Sequence, residues 1–235
     1  MPLSDRYAVH HNLEEIGVKG QIKLSKARVV VVGLGGLGCS IAQGLTSLGI
    51  GHITLIDDDV ISASNLARQI LYQEKNIGFH KCKVAVERLK KHNSEISITS
   101  VCERLTSSNS RNLLNGKDII IDGTDNIVSR IAIDTYCATE KIPFIYGGVQ
   151  NFSGQVSVFN YKGGKSMQES FSAMKDLVKE ENCTDSGVIL PIISMVANLQ
   201  MLQAFNIILD RQPVLQGSLQ VIDLKKLNFR KFKLL

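Results

Sequence analysis

The sequence predicts an α/β protein: a Rossmann-like, mostly parallel sheet with helices on both faces and antiparallel C-terminal strands. Three observations carry this. A run of valines ends in a glycine-rich turn, VVVVGLGGLG over residues 29–38, which fits the G-x-G-x-x-G turn after the first strand of a nucleotide-binding βαβ unit. Strand and helix signals alternate over the first 160 residues, as crossover helices between parallel strands require. After residue 150 the alternation gives way to two strand-like segments around one long apolar stretch.

Each element has its own signal. RVVVVG (28–33) reads as a buried strand and LGCSIAQGLTSLG (37–49) as the helix that follows. HITLID (52–57) is the second strand, and HKCKVAVERLKKHN (80–93) is helical by the spacing of Val84, Ala85 and Leu89. Strands recur at 96–102, 117–122 and 143–148, then at GQVSVFN (154–160) and SLQVIDL (218–224). Residues 1–27 form an N-terminal helical segment, 28–150 the nucleotide-binding core, and 151–235 the remainder of a single domain. The polar stretch 163–187 reads as a mobile crossing segment.

Composition excludes several classes. At 235 residues, with 44% hydrophobic and 21% charged residues, the chain fits one ordinary globular domain. The N-terminal MPLSDRYAVHHNLEE has no apolar core of a secretory signal. The apolar stretch 187–209 is broken by Pro191, Asn198, Gln200, Gln203 and Asn206, so it reads as a buried helix and not as one of the roughly 20-residue apolar spans a bilayer requires. Cysteines 39, 82, 102, 137 and 183 are scattered, with no C-x-x-C pair. That argues for reduced thiols in a cytoplasmic protein, without a disulfide framework or zinc knuckle. Lys225, Lys226, Arg230, Lys231 and Lys233 read first as a solvated edge strand guarded by charge, and otherwise as a docking surface for an acidic partner. No aromatic-basic interleaving points to nucleic acid.

The glycine turn alone does not choose a nucleotide. Asp57 ends the second strand, where a carboxylate can bind ribose hydroxyls of either NAD or ATP. Asn65, Arg68 and Gln69 follow, and Lys81 opens the next helix; these cations suit more phosphate charge than a dinucleotide bridge carries. Asp122 and Asp125 stand at the end of a later strand, where a carboxylate facing a triphosphate calls for Mg²⁺ between them. Taken singly, Asp57 and Asp59 could be loop-capping acids, Arg68 an ion-pair partner, Lys81 a solvated residue, and Asp125-Asn126 a helix cap. The GGKS at 163–166 lacks the earlier glycine of a P-loop, since Phe159 stands there.

In their order, GLGGLG, D-x-D-x-x-S-x-S-N-L-x-R-Q from Asp57 to Gln69, Lys81, and T-D-N-x-x-x-R from Thr124 to Arg130 resemble the ThiF/MoeB/HesA family of ubiquitin-activating-enzyme-like adenylyltransferases. The resemblance extends through GGVQNFSGQ (147–155) and NCTDSGV (182–188) over nearly the whole chain, and QILYQ with ERLT leans towards ThiF. It implies an enzyme that joins the terminal carboxylate of a Gly-Gly-ending, ubiquitin-like sulfur carrier to AMP, using ATP and Mg²⁺. Thiazole synthesis for thiamine, with a ThiS-like carrier, comes first; a MoaD-type carrier in molybdopterin synthesis, or a degenerate carrier-binding member, comes second. Gly33, Gly35, Gly36, Asp57, Asp59, Asn65, Arg68, Gln69, Lys81, Asp125 and Asn126 would bind the nucleotide. Arg68, Lys81, Asp125 and Cys183 would be catalytic, and Asp125 would bind Mg²⁺. A homodimer and a sulfur-donor protein are implied, with neither nucleic acid nor membrane as partner. For Cys183 a covalent sulfur role and an unreactive loop thiol both stand.

Two departures accompany the resemblance. The family's zinc-binding C-x-x-C pairs are replaced by KSMQES (165–170) and by the terminal KLL, so no zinc is expected. The family's N-terminal Arg-Tyr-x-Arg-Gln reads here Arg6-Tyr7-Ala8-Val9-His10. A phosphate contact is therefore lost unless Arg6, His10 or His11 supplies it, and slower adenylation is expected.

Overall fold

The computed structural model describes residues 5–171 and 187–234. Its centre is an eight-stranded sheet of order β3-β2-β1-β4-β5-β6-β7-β8. β1 (Arg28–Val32), β2 (His52–Ile56), β3 (Ser97–Val101), β4 (Ile119–Asp122) and β5 (Phe144–Gln150) run parallel, while β6 (Ser153–Phe159), β7 (Ser218–Asp223) and β8 (Asn228–Lys233) continue in antiparallel sense. Strand order reverses between β1 and β4, and open sheets of this kind bind ligands beyond the strand ends at such a point.

The valine run explains the centre. Val29, Val30, Val31 and Val32 are buried on both faces, which a strand between two helical layers demands. Val29 and Val31 join the core layer of α3 (Gly36–Leu48) and α8 (Leu190–Ile208), and Val30 and Val32 the layer under α6 (Ile127–Glu140). Short helices α1 (Ala8–His11) and α2 (Gly17–Lys26) precede β1; α4 (Lys81–His92) and α5 (Ser110–Leu114) flank β3; α7 (Met167–Ser170) follows β6. Within the expected N-terminal helical segment, residues 5–11 and 17–26 are helical, and each foreseen strand lies within two residues of its expected bounds.

Helix α8 is long and apolar enough to cross a membrane by length and composition, yet its amides stitch it into the protein. Gln200 Nε2 donates to the Asp122 carbonyl at 2.7 Å, Gln203 Oε1 accepts the Leu215 N–H at 2.7 Å, and Asn206 Nδ2 donates to the Pro213 carbonyl at 2.8 Å. Buried amides with such partners belong to a core helix.

The basic cluster lies on and just before β8, the exposed sheet edge, where charge discourages edge-to-edge pairing. Where the family's first cysteine pair would fall, Ser166 caps α7 and Glu169 reciprocates. The buried Asp134 carboxylate accepts the N–H groups of Met167 and Gln168, the Gln168 side-chain amide and the Asn160 amide at 2.8–3.1 Å. Side-chain hydrogen bonds anchor the start of the crossing segment; its residues 172–186, including Cys183, lie outside the described residues.

One expectation is corrected. Cys82 and Cys102 form a disulfide, with Cα atoms 5.9 Å apart, while Cys39 and Cys137 are free and buried. The pair is separated by 20 residues in sequence, but α4 lies back along β3 and brings the start of the helix to the end of the strand. Closing a loop of this length stabilises the fold by about 3 kcal/mol in the chain-entropy account. Urea unfolding of the oxidised protein should therefore show a higher midpoint than after dithiothreitol treatment or in Cys102→Ala; superimposable curves would contradict a stabilising link.

Candidate active site

The site grows from the turn between β1 and α3. Gly33 has φ +84°, and a Cβ there would lie 2.8 Å from the Gly123 carbonyl group. A Cβ on Gly38 would overlap the Gly33 carbonyl oxygen, and one on Gly123 would stand 2.6 Å from that same atom. Glycine at these three positions lets the turn after β1 lie against the turn after β4. Gly36 faces Ile193 of α8, 2.8 Å from a built Cβ. Gly35 differs: a Cβ there would meet nothing nearer than Gln69 Nε2 at 3.9 Å. Its lack of a side chain answers to nothing in the protein and leaves room for a ligand to approach the helix N-terminus, where amides and dipole favour anions.

Leu34, between these glycines, is fully buried. Its N–H donates to Asp57 Oδ2 at 2.6 Å, and its carbonyl accepts the Tyr72 hydroxyl at 3.0 Å and the Cys39 thiol at 3.3 Å. Burial pushes the Cys39 thiol up to about 12, so it acts as a core residue and not as a nucleophile. Asp57, at the end of β2, also accepts the Asp59 N–H on Oδ1 at 2.8 Å. Burial raises its carboxyl above the usual range, against the pull of the Leu34 N–H and the Lys81 charge.

Beyond Asp57 the chain doubles back. The Ile61 N–H bonds to Phe79 O, the Gly78 N–H to Ile61 O and the Lys81 N–H to Asp59 O, so residues 59–61 pair with 78–81. This places Lys81 at the N-terminus of α4 beside Asp59, with Nζ 2.7 Å from Asp59 Oδ2. The Lys81 side chain is only 7% exposed, which rules out a merely solvated lysine. Asn65 and Ser62 form a reciprocal cap, and the Asn65 carbonyl accepts the N–H groups of Arg68 and Gln69. Arg68 donates to Ser64 O at 3.0 Å and has no carboxylate partner among the described residues. Gln69 is buried and its Oε1 has no hydrogen-bond partner.

The third wall is the turn after β4. Asp122, fully buried, accepts the Thr124 N–H and hydroxyl at 2.8 and 2.7 Å and pairs with Arg130 Nε at 2.8 Å. Arg130 Nη2 also donates to the carbonyls of Thr124 and Gly147, and the guanidinium lies over the Tyr146 ring. Burial alone would lower the Arg130 pKa; the negative charge of Asp122 beside it, with its hydrogen bond, raises it instead. Asp122 is therefore committed to the scaffold and does not face a ligand. Asn126 caps α6 by accepting the Ser129 N–H at 2.8 Å, which commits its side-chain oxygen locally. Asp125 is exposed, and no hydrogen bond or ion pair engages its carboxylate among the described residues.

The glycine turn is bonded to Asp57, lies near the Arg68 backbone carbonyl and the Gln69 side chain, and packs on the turn before Asp125; Asp59 ties Lys81 to the loop after β2. Read from the sequence, Asp122 stands beside Asp125 toward the phosphates and Gly38 in the nucleotide turn; the packing role of Gly38 and Gly123 and the scaffold pairing of Asp122 with Arg130 are missed there. The T-D-N-x-x-x-R spacing was the signal for that pairing, because it puts Arg130 on the first turn of α6, able to reach back to the end of β4. At the N-terminus, Val9 is 70% exposed, Arg6 is 4.0 Å from Glu95, and His10 Nδ1 is 2.9 Å from Gln21 Oε1. Arg6 and His10 thus have partners within the chain.

The fold is that of a Rossmann-type α/β protein, with Arg68, Lys81 and Asp125 on the loops that follow β2 and β4 at one end of the parallel strands. The chain belongs to the ThiF family, whose sequence model matches residues 7–235. It is 37% identical over 229 residues to the adenylyltransferase and sulfurtransferase MOCS3 of Culex quinquefasciatus, covering 97% of this chain and 52% of that protein. The chain thus spans about half the length of that relative. It is 34% identical over 239 residues to the molybdopterin-synthase adenylyltransferase of Salmonella typhimurium, covering 99% of this chain and 95% of that protein. The E. coli MccB structure with ATP has a TM-score of 0.84 at 23% identity, covering 98% of this chain and 72% of that one, a likeness of fold.

The glycine contacts separate packing from ligand binding. Gly38→Ala should lower the thermal midpoint by several degrees, because its Cβ meets backbone. Gly35→Ala should leave the midpoint unchanged and weaken nucleotide binding in calorimetry. Equal thermal losses in both would contradict the assignment.

Proposed function

We propose that this chain is an ATP-dependent adenylyltransferase acting on the C-terminal Gly-Gly carboxylate of a ubiquitin-like sulfur carrier. The observation that carries the reading is that the loops after β1, β2 and β4 bring the unfilled Gly35 position, Arg68 without a carboxylate partner among the described residues, the buried Lys81 and the exposed Asp125 to one end of the parallel strands. Support also comes from the Salmonella relative, matched over 95% of its length. The described relatives named for molybdopterin synthesis favour a MoaD-type carrier. The leaning of QILYQ and ERLT towards ThiF and thiamine receives no support from them, so the pathway reading moves to molybdopterin.

In this proposal Asp57 serves the ribose from a position already fixed by two N–H bonds, and Gly35 admits the phosphates. The carrier carboxylate attacks the α-phosphorus; an oxygen–phosphorus bond forms, the α–β phosphoanhydride breaks, and pyrophosphate leaves. The carboxylate is already the nucleophile, so no general base is needed, and the protein supplies position and charge. Arg68 and Lys81 balance phosphate charge. Among the described residues no group of three or more acidic, His or Cys side chains forms a metal cage. One carboxylate, Asp125, therefore fits Mg²⁺, which binds mainly through substrate phosphates and water; when bound it would neutralise the departing pyrophosphate. Residues 28–150 would hold the nucleotide and 151–235 the carrier, in a homodimer.

A second reading, a carrier-binding member without catalysis, is favoured by Val9 at the family's arginine position and by the ties on Arg6 and His10. ATP–pyrophosphate exchange separates the two. Exchange that depends on a Gly-Gly-ending carrier and falls at least about 100-fold in Asp125→Ala is expected. Carrier binding with no exchange would overturn adenylation in favour of the second reading.

A further inference from the structure

We infer that Asp59 is a positioning residue for Lys81 and not a nucleotide ligand; the inference rests on the adenylyltransferase reading. Asp59 holds Lys81 at two points. Its carbonyl accepts the Lys81 N–H at 3.0 Å, which fixes where α4 starts, and its Oδ2 meets Nζ at 2.7 Å. Its own N–H is bound to Asp57 Oδ1, and Asp57 Oδ2 holds the Leu34 N–H of the glycine turn. One unbroken chain of hydrogen bonds therefore runs from the glycine turn through Asp57 and Asp59 to Lys81.

The chemistry favours a clamp. A lysine so buried needs a counter-charge before any anion arrives. An ammonium carries three N–H donors, and the Asp59 bond takes one, leaving two to meet phosphate oxygens. Lysine rotamers are many and a long side chain loses freedom when it is held. Fixing Nζ in the ligand-free protein removes that loss from the reaction. As an anion itself, Asp59 is poorly suited to touch a polyphosphate; its value lies in aiming the cation.

The test has two arms. In the ligand-free protein, Lys81 acylation by an N-hydroxysuccinimide ester, followed by peptide mass mapping, should rise several-fold in Asp59→Ala. It should return close to wild type in Asp59→Asn, whose amide oxygen still accepts from Nζ. In carrier-dependent exchange, Asp59→Ala should lower kcat on the order of 10- to 100-fold with little change in the KM for ATP, and Asp59→Asn should recover most of it. Lys81→Ala and Lys81→Ala/Asp59→Ala should be equally slow, because the clamp acts only through the lysine. Unchanged Lys81 labelling overturns the clamp even if no carrier supports exchange, which would be a failure of the adenylation reading instead. Independent losses in the double variant, or a raised KM at constant kcat, would return Asp59 to direct nucleotide contact.

Discussion

The buried carboxylate of Asp57 is the constraint on which the ligand face depends. It ends β2, takes the Leu34 N–H with one oxygen and the Asp59 N–H with the other, and so ties the glycine turn to the loop that returns to Lys81. Leu34 can be buried only because its peptide groups are satisfied, by Asp57 on one side and by Tyr72 and Cys39 on the other. The glycines then allow the turns after β1 and β4 to touch.

Two buried acids serve this face differently. Asp122 is matched by a guanidinium and two Thr124 donors and is fully buried. A buried ion pair of this kind is costly to break from one side, which makes it a frame for the turn that presents Asp125. Three residues further along, the exposed Asp125 has no such partner. The same short segment thus provides both the frame and an uncommitted carboxylate.

Much of this was legible in the sequence. The four valines before a glycine turn pointed to the central strand, and the structure places Asp57, Arg68, Lys81 and Asp125 on segments after β2 and β4, the strands on either side of it. The roles of Gly38 and Gly123 were not legible, since a close backbone approach between residues 33 and 123 exists only after the sheet forms. Asp59 read as a loop-capping acid or, by the resemblance, a nucleotide ligand; only the return of residues 78–81 reveals its partner, Lys81. The Cys82–Cys102 link escaped for the same reason, being made by a crossover helix folded onto its strand. Gln200, Gln203 and Asn206 of α8 are buried as their reading required, while Asn198 is exposed; the backbone groups that the three buried amides meet could not be named.

Departures from the family's pattern change how parts are held. Where a zinc staple would sit, Asp134 gathers N–H donors from α7 and Asn160, and where an arginine would project, Val9 is exposed. The account stands or falls on whether the remaining groups activate a carboxylate. Intact-mass spectrometry of a Gly-Gly-ending carrier incubated with this protein, ATP and Mg²⁺ reads that directly. The account predicts a hydroxylamine-sensitive gain of one adenylyl group at the terminal glycine; an unmodified carrier under conditions where the complex demonstrably forms would contradict it.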